Sequence, residues 1–295
     1  MARIEALGFV GLGTMGEPMC ANLARKSGLE VYAADRRPEA MQRLAAEKVI
    51  ACTSVAELAQ RADLVFLSLP SGREVEEVCL GAGGIAGAGG RVRVVVDCGT
   101  SPVALARSLA ARLAEAGIDF ADAPVARTRE AAQQGRLSIM VGASAELFER
   151  INPCLAAMGT DITHCGPVGC GQVVKILNNM VLFETVGALA EALAIAGRAG
   201  VDERLLLEAL SKGSADSFAL RNHGMKAMLP RHFPENAFCA EYALKDLGYA
   251  LELARAGGVG AAGAEVARGR LAEAIRRGHG QKYWPVLLEV VAGEE

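Results

Sequence analysis

Six short apolar runs mark the first ~165 residues of the chain: ALGFVG (6–11), EVYAAD (30–35), LVFLSLP (64–70), RVVVDC (93–98), IDFADAPV (118–125) and LSIMVGA (137–143). Their length and β-branched content predict strands. Helix signals lie between them, among them Ser54 with Glu57 as a capping box and Pro102 at a helix start. Apolar strands separated by helices imply a parallel sheet covered on both faces. At Gly166-Pro167-Val168-Gly169 the pattern changes, and long Ala- and Leu-rich helical segments replace strands. The reading is an α/β domain over residues 1–166 followed by an all-α domain over 167–295. GAGGIAGAGG (81–90) reads as a loop, and no internal repeat is seen.

Composition works mainly by exclusion. A chain of 295 residues with 52% hydrophobic side chains has ample material for a core. The 31 Lys and Arg against 34 Asp and Glu leave a net charge of −3 with no long basic run, which argues against nucleic acid as a partner. The eight cysteines include no C-x-x-C pair and read as free thiols of a reducing cytoplasm. Residues 1–10 lack the apolar core and cleavage site of a signal peptide. The most apolar span, Val173 to Ala196, contains Lys175, Glu184 and Glu191, which favours a buried helix over a membrane span.

Candidate chemistry begins with G-x-G-x-x-G at Gly11, Gly13 and Gly16, with Thr14 and Met15 between the last two. Gly11 suits a tight turn after a strand, Gly13 lets backbone approach a pyrophosphate, and Gly16 lets a helix pack close to the sheet. The following helix N-terminus favours an anion. Asp35 ends the second strand nineteen residues after Gly16, where a carboxylate bonds a ribose 2′-OH and repels a 2′-phosphate. The expected cofactor is NAD. Arg36 and Arg37 leave NADP possible; their alternative reading is a solvated turn.

Lys175 is the second feature. It sits in GQVVKILNNMVLF (171–183) among Val173, Val174, Ile176 and Leu177, where an unpartnered ammonium is costly to bury. On a helix, Asn178 and Asn179 follow on the same face. Removing hydride from an alcohol requires the hydroxyl proton to leave, and a lysine whose pKa is lowered by burial can accept it near neutral pH. The structural alternative is a lysine that snorkels outward along its own stem. No G-x-S-x-G, H-E-x-x-H or P-loop is present, no metal site is expected, and His223 and His232 read as surface residues of the helical domain.

These segments together resemble the β-hydroxyacid dehydrogenases, the family of 3-hydroxyisobutyrate dehydrogenase and tartronate semialdehyde reductase. The resemblance rests on GFVGLGTMG, LSLP (67–70), DCGTSP (97–102), DAPV (122–125), GRLSIMVGA (135–143), GPVGCGQVVKILNN (166–179) and LKDLGYAL (244–251), and covers nearly the whole chain. It implies a Rossmann domain, a long helix crossing to an α-helical domain, and an active site between them. It also implies that Lys175 is the catalytic lysine, that Asn179 with Asn178 holds the substrate, and that Leu69 and Pro70 line the cofactor loop. Thr100 would lie by nicotinamide and substrate, and Lys245 would close over the cofactor. The expected partners are a small anionic substrate and further copies of the chain, as a homodimer or homotetramer.

Two departures from the family matter. DCGTSP is one residue shorter than the usual loop and lacks its serine, and Ala126-Arg127-Thr128 stands where Ser-Gly-Gly is usual. Arg127 offers a fork of donors suited to a carboxylate, sulfonate or phosphonate, and a similar G-R-T occurs in sulfolactaldehyde reductases. The expected activity is interconversion of a C3–C4 3-hydroxy acid, with a carboxylate or sulfonate tail, and its semialdehyde. The alternatives are an ordinary 3-hydroxy carboxylate such as 3-hydroxyisobutyrate or glycerate with NADP, a solvent-facing Arg127, and a non-catalytic dinucleotide-binding protein of the same fold.

Overall fold

The computed structural model describes residues 4–235 and 237–293. The chain forms two compact units, Met1–Lys175 and Ile176–Glu295.

The first unit is built on strands β1 (Ala6–Val10), β2 (Glu30–Ala34), β3 (Ile50–Ala51), β4 (Leu64–Leu67), β5 (Val94–Asp97), β6 (Asp119–Asp122), β7 (Val125–Ala126), β8 (Leu137–Gly142) and β9 (Gly159–Gly166). They form a single sheet in the order β3-β2-β1-β4-β5-β6-β8-β7, with β9 paired to the other side of β8. The pairs from β3 through to β6 are parallel, β8 runs antiparallel to β6 and β7, and β9 runs parallel to β8. The neighbours of β1 are β2 and β4, so the strand order reverses there and opens a crevice beyond the strand C-termini, where doubly wound sheets bind ligands.

Helices α1 (Gly16–Lys26), α2 (Pro38–Leu44), α3 (Val55–Arg61), α4 (Gly72–Leu80), α5 (Val103–Glu115), α6 (Arg129–Gln133) and α7 (Ala145–Leu155) connect the strands. Strand side chains alternate between faces, and both faces are apolar. Leu7, Phe9, Leu64, Phe66, Val94 and Val96 pack with Met19 and Leu23 of α1 and Ile151 of α7. Val10, Val65, Leu67 and Val95 pack with Leu58 of α3, Val75 of α4 and Leu109 of α5. Ser54 caps α3 by accepting the Glu57 N–H at 3.1 Å, while Glu57 bonds Thr53.

Helix α8 (Cys170–Arg198) starts in the first unit and continues in the second. By length and composition alone it could cross a membrane. Phe183, Val186, Ala190 and Leu193 are buried, whereas Val181 and Ile195 are exposed. The second unit also holds α9 (Glu203–Leu210), a π-helix (Leu220–Met228), α10 (Ala240–Ala256), α11 (Ala262–Ala274) and α12 (Leu287–Ala292). Its core centres on Trp284, edge-on to Phe183 at 4.8 Å between ring centroids. His223 corrects the sequence expectation: it is not on the surface but buried beside Trp284, with Nδ1 2.7 Å from the Tyr283 hydroxyl. Burial pushes its pKa down to about 4. His232 is exposed. All eight cysteines are free, and desolvation pushes the buried Cys79 and Cys154 thiols up to about 12 and about 11.

Candidate active site

Steric constraints define the glycine turn. Gly11 has φ of +93°, a conformation that favours glycine, and a methyl group there would stand 2.3 Å from the Ser68 carbonyl oxygen. At Gly16 a methyl would stand 1.9 Å from the Gly11 carbonyl oxygen, so α1 packs directly on the turn. Gly13 faces open space, with only Arg37 Nη2 as near as 3.8 Å. Thr14 is exposed, Met15 is half-buried, and no side chain caps the N-terminus of α1. That leaves helix N–H groups for an anion, and the turn fits a pyrophosphate.

Asp35 lies just past β2 and receives the Leu12 N–H on Oδ2 at 2.5 Å and the Arg37 N–H on Oδ1 at 2.8 Å. Arg37 reaches back over the turn, with Nη2 3.4 Å from the Leu12 carbonyl oxygen and Nε 3.5 Å from Asp35. The carboxylate expected to read the ribose therefore stands against the glycine turn, and an arginine stands beside it. Arg36 is exposed.

The loops after β4 and β5 meet the same edge. A methyl at Gly11 would touch Leu69 Cδ2 at 2.9 Å, and one at Gly99 would stand 3.1 Å from the Leu69 carbonyl oxygen. Leu69 and Thr100 are half-buried and Pro70 is exposed. Asp97, fully buried at the end of β5, accepts the Gly99 N–H and the Ser101 hydroxyl, both at 2.8 Å. Asp122, fully buried at the end of β6, accepts the Gly169 N–H at 2.6 Å and the Gln172 N–H at 2.7 Å, which fixes the start of α8 at this edge. Burial pushes the Asp122 carboxyl up, against the pull of those backbone donors. A methyl at Gly171 would stand 2.8 Å from that carboxylate, so the helix start requires a residue without one.

Lys175 follows three residues after Gln172 and is half-buried. Asn178 is exposed and Asn179 buried. Within the second unit, the Asn178 amide donates to Asn179 Oδ1 at 3.1 Å, and the Asn179 amide donates to Asp246 Oδ2 at 2.8 Å. Lys245 pairs with Asp246 Oδ1 at 3.2 Å, and its ammonium lies 5.8 Å and 5.4 Å from the Tyr242 and Tyr249 ring centroids.

Comparison with known proteins agrees with this geometry. Residues 6–166 match the model for the NAD binding domain of 6-phosphogluconate dehydrogenase. Residues 169–285 match the one for the NAD-binding of NADP-dependent 3-hydroxyisobutyrate dehydrogenase. The chain is 38% identical to 2-(hydroxymethyl)glutarate dehydrogenase of Eubacterium barkeri, over 88% of this chain and 85% of that one. It is 36% identical to 2-hydroxy-3-oxopropionate reductase of Escherichia coli, over 85% of this chain and 84% of that one. The crystal structure of 3-hydroxyisobutyrate dehydrogenase from Salmonella typhimurium aligns with a TM-score of 0.87 at 26% identity, over 97% of this chain and 99% of that one.

The chain belongs to the β-hydroxyacid dehydrogenase family. It is an NAD(P)-dependent oxidoreductase with a Rossmann domain followed by a helical domain.

Against the family pattern, Arg127 is the informative departure. Its φ is +88°, so an arginine holds the left-handed backbone that the usual glycine would adopt without strain. Its guanidinium does not project free into solvent: it pairs with Asp161 at 2.8 Å and donates to the Arg136 carbonyl oxygen at 2.7 Å and to Thr160 Oγ1 at 3.2 Å. The structure thus gathers Gly11, Leu69, the Thr100 loop and the start of the lysine helix at one edge, and commits Arg127 to β9. Four residues with evident roles escape sequence reading: Gln172, Asp122 and Asp246, whose partners are remote in sequence, and Asp97, which bonds its own loop at Gly99 and Ser101. The only advance signal is that polar residues stand in otherwise apolar segments.

Proposed function

We propose that this β-hydroxyacid dehydrogenase interconverts a three- or four-carbon 3-hydroxy carboxylate and its semialdehyde, with NAD preferred over NADP and Lys175 as general acid/base. The observation that carries the reading is the grip of Asp122 on the first turn of α8. It starts the lysine helix at the edge that holds the glycine turn and the Thr100 loop. Bound NAD(P) supplies the hydride acceptor for oxidation and the hydride donor for reduction. Lys175 takes the hydroxyl proton as the alcohol is oxidised and returns one to the carbonyl oxygen on reduction. Asn179, one helical turn on, holds the substrate with Asn178, and Thr100 borders it. Lys245 belongs to the same proposal as a cofactor contact.

A carboxylate tail is preferred here to a sulfonate because the Arg127 guanidinium, the feature that favoured a sulfonate, is already engaged by Asp161, Thr160 Oγ1 and the Arg136 carbonyl oxygen. The compounds named for the two relatives also carry their oxidisable or reducible carbon next to the carbon that bears a carboxylate. NAD preference is supported by Asp35 standing against the glycine turn. A homodimer or homotetramer is part of the proposal, with Val181 and Ile195, 59% and 67% exposed on α8, as surface for assembly to cover. The eight free thiols support a cytoplasmic setting.

The test is an initial-rate screen of 3-hydroxyisobutyrate, glycerate, 3-hydroxypropionate and a matched three-carbon sulfonate with each cofactor. The reading requires a carboxylate with NAD to give the highest kcat/KM. A sulfonate in first place would return the tail to Arg127.

A further inference from the structure

Gln172 is fully buried on the first turn of α8, and both groups of its side-chain amide bond residues remote in sequence. Its Oε1 accepts the Ser101 N–H at 3.1 Å, and its Nε2 donates to the Gly99 carbonyl oxygen at 2.8 Å. One amide thus clasps the peptide groups on both sides of Thr100. Asp97 holds the same two residues from below, through the Gly99 N–H and the Ser101 hydroxyl. The Gln172 main chain is itself fixed by Asp122. The backbone flanking Thr100 therefore has few remaining freedoms, and a shift of the loop is transmitted to the helix start, three residues before Lys175.

We propose that Gln172 is a positioning residue for hydride and proton transfer: its carboxamide locks Thr100 in register with Lys175. This rests on the reading of Lys175 as the acid/base. The clasp needs one acceptor and one donor at fixed separation, which a primary amide of this length provides. A misplacement of about 1 Å between reacting groups costs on the order of 100-fold in rate, so two bonds that fix a loop against a helix are proportionate to the task. The clasp lies beside the glycine turn rather than in it, so cofactor affinity should not depend on it.

Two variants separate positioning from packing. Gln172→Met keeps length and volume but removes donor and acceptor, and should lower kcat/KM by about 10- to 100-fold while cofactor Kd stays close to native. Gln172→Glu keeps the acceptor for Ser101. When ionised it sets an oxygen against the Gly99 carbonyl oxygen, and when protonated its O–H can donate there and remake the clasp. The ionisable groups around the position are Asp97 at the end of β5, Asp122 at the end of β6, Arg107 on α5, whose guanidinium lies against Gly169, and Cys170 and Lys175 on α8. Burial and the two carboxylates favour the neutral form of an introduced acid, and Arg107 and Lys175 favour its charged form.

The decisive readout is the Gln172→Glu to native ratio of kcat/KM, per cofactor-binding site, at pH values where circular dichroism shows both folded. The ratio at each pH removes the titrations that the two proteins share. The proposal requires it to climb as pH falls, by about 10-fold or more. A ratio flat with pH, whether near one or uniformly low, overturns the proposal, as does native kcat/KM in Gln172→Met. If Gln172→Met does not fold, the glutamate ratio decides alone. Lys175→Ala run beside them keeps the two readings apart. Retained turnover there removes the acid/base assignment, whereas lost turnover with a flat glutamate ratio removes only the clasp.

Discussion

The Asn179 side-chain amide donates to Asp246 at 2.8 Å across 67 residues of sequence, and both side chains are almost fully buried. Lys245, next to Asp246, pairs with the other carboxylate oxygen at 3.2 Å. One buried carboxylate therefore sets the orientation of an amide on α8 and holds an ammonium on α10. Asp246→Ala leaves both without that partner and should cost about 2 kcal/mol of stability, typical for lost hydrogen bonds to a charged group. Asp246→Asn keeps an acceptor for Asn179 and should cost about half as much. Urea unfolding of the three proteins checks the order; equal stability throughout would mean the carboxylate contributes little beyond its own desolvation.

Arg127 gives a prediction in which the sign depends on the replacement. Its left-handed backbone costs about 1–2 kcal/mol, whereas a partly exposed pair such as that with Asp161 gives about 0–1 kcal/mol. Relief of strain outweighs loss of the pair, so Arg127→Gly should be as stable as native or more stable by about 1 kcal/mol. Arg127→Ala keeps the strain, loses the pair and should be less stable. Thermal melts of both variants read this directly. Activity on carboxylate substrates should change little in Arg127→Ala, and a fall of more than about 30-fold would show the guanidinium leaving Asp161 for the substrate.

The proposed NAD preference rests on Asp35, with Arg37 beside it, which contact each other and the glycine turn. Removing the carboxylate in Asp35→Ala should tighten NADP and weaken NAD, with a change in relative affinity of about 1.5–3 kcal/mol. Arg37→Ala should weaken NADP selectively. Fluorescence titration of each protein with both cofactors checks this, and an unchanged NAD to NADP ratio in Asp35→Ala would remove the aspartate from the selection.

Much of this was legible in sequence, for identifiable reasons. Gly11 and Gly16 are fixed by close approach of main chain to main chain, a constraint that no other residue type meets. The six apolar runs became β1, β2, β4, β5, β6 and β8 because both sheet faces are covered. The two-residue strands β3 and β7 are too short to leave a pattern, and β9, read as GTDITHCG, is a polar edge strand with no apolar alternation. Gln172 and Asp97 meet across the fold through the Gly99–Ser101 loop, and Asn179 meets Asp246 across 67 residues, so spacing carries no trace of either. Arg127 was visible as a departure, but its partner Asp161 was not. His223 reads as a surface residue because it and His232 flank a Pro-containing segment, whereas its side chain packs onto Trp284 in the core.

His223 also makes acid stability predictable. Its pKa falls from 6.5 to about 4 on folding, so below about pH 6.5 the unfolded chain binds a proton that the folded one does not. Its contribution is fully present above pH 6.5 and is lost as pH falls toward 4, with about 3 kcal/mol at stake over the window. His223→Gln should be less stable at neutral pH but should lose about 2 kcal/mol less than native between about pH 7.5 and pH 5. Parallel slopes for the two proteins in urea unfolding would mean that the folded imidazole already accepts a proton.

The acid/base assignment of Lys175 is tested most directly by single-turnover reduction in Lys175→Ala with cofactor prebound and its Kd measured on the same sample. The account predicts a loss of ~10²- to 10⁴-fold in the chemical step with cofactor Kd close to native. A chemical step at the native rate would contradict it and leave Lys175 as a half-buried lysine that carries its charge to solvent.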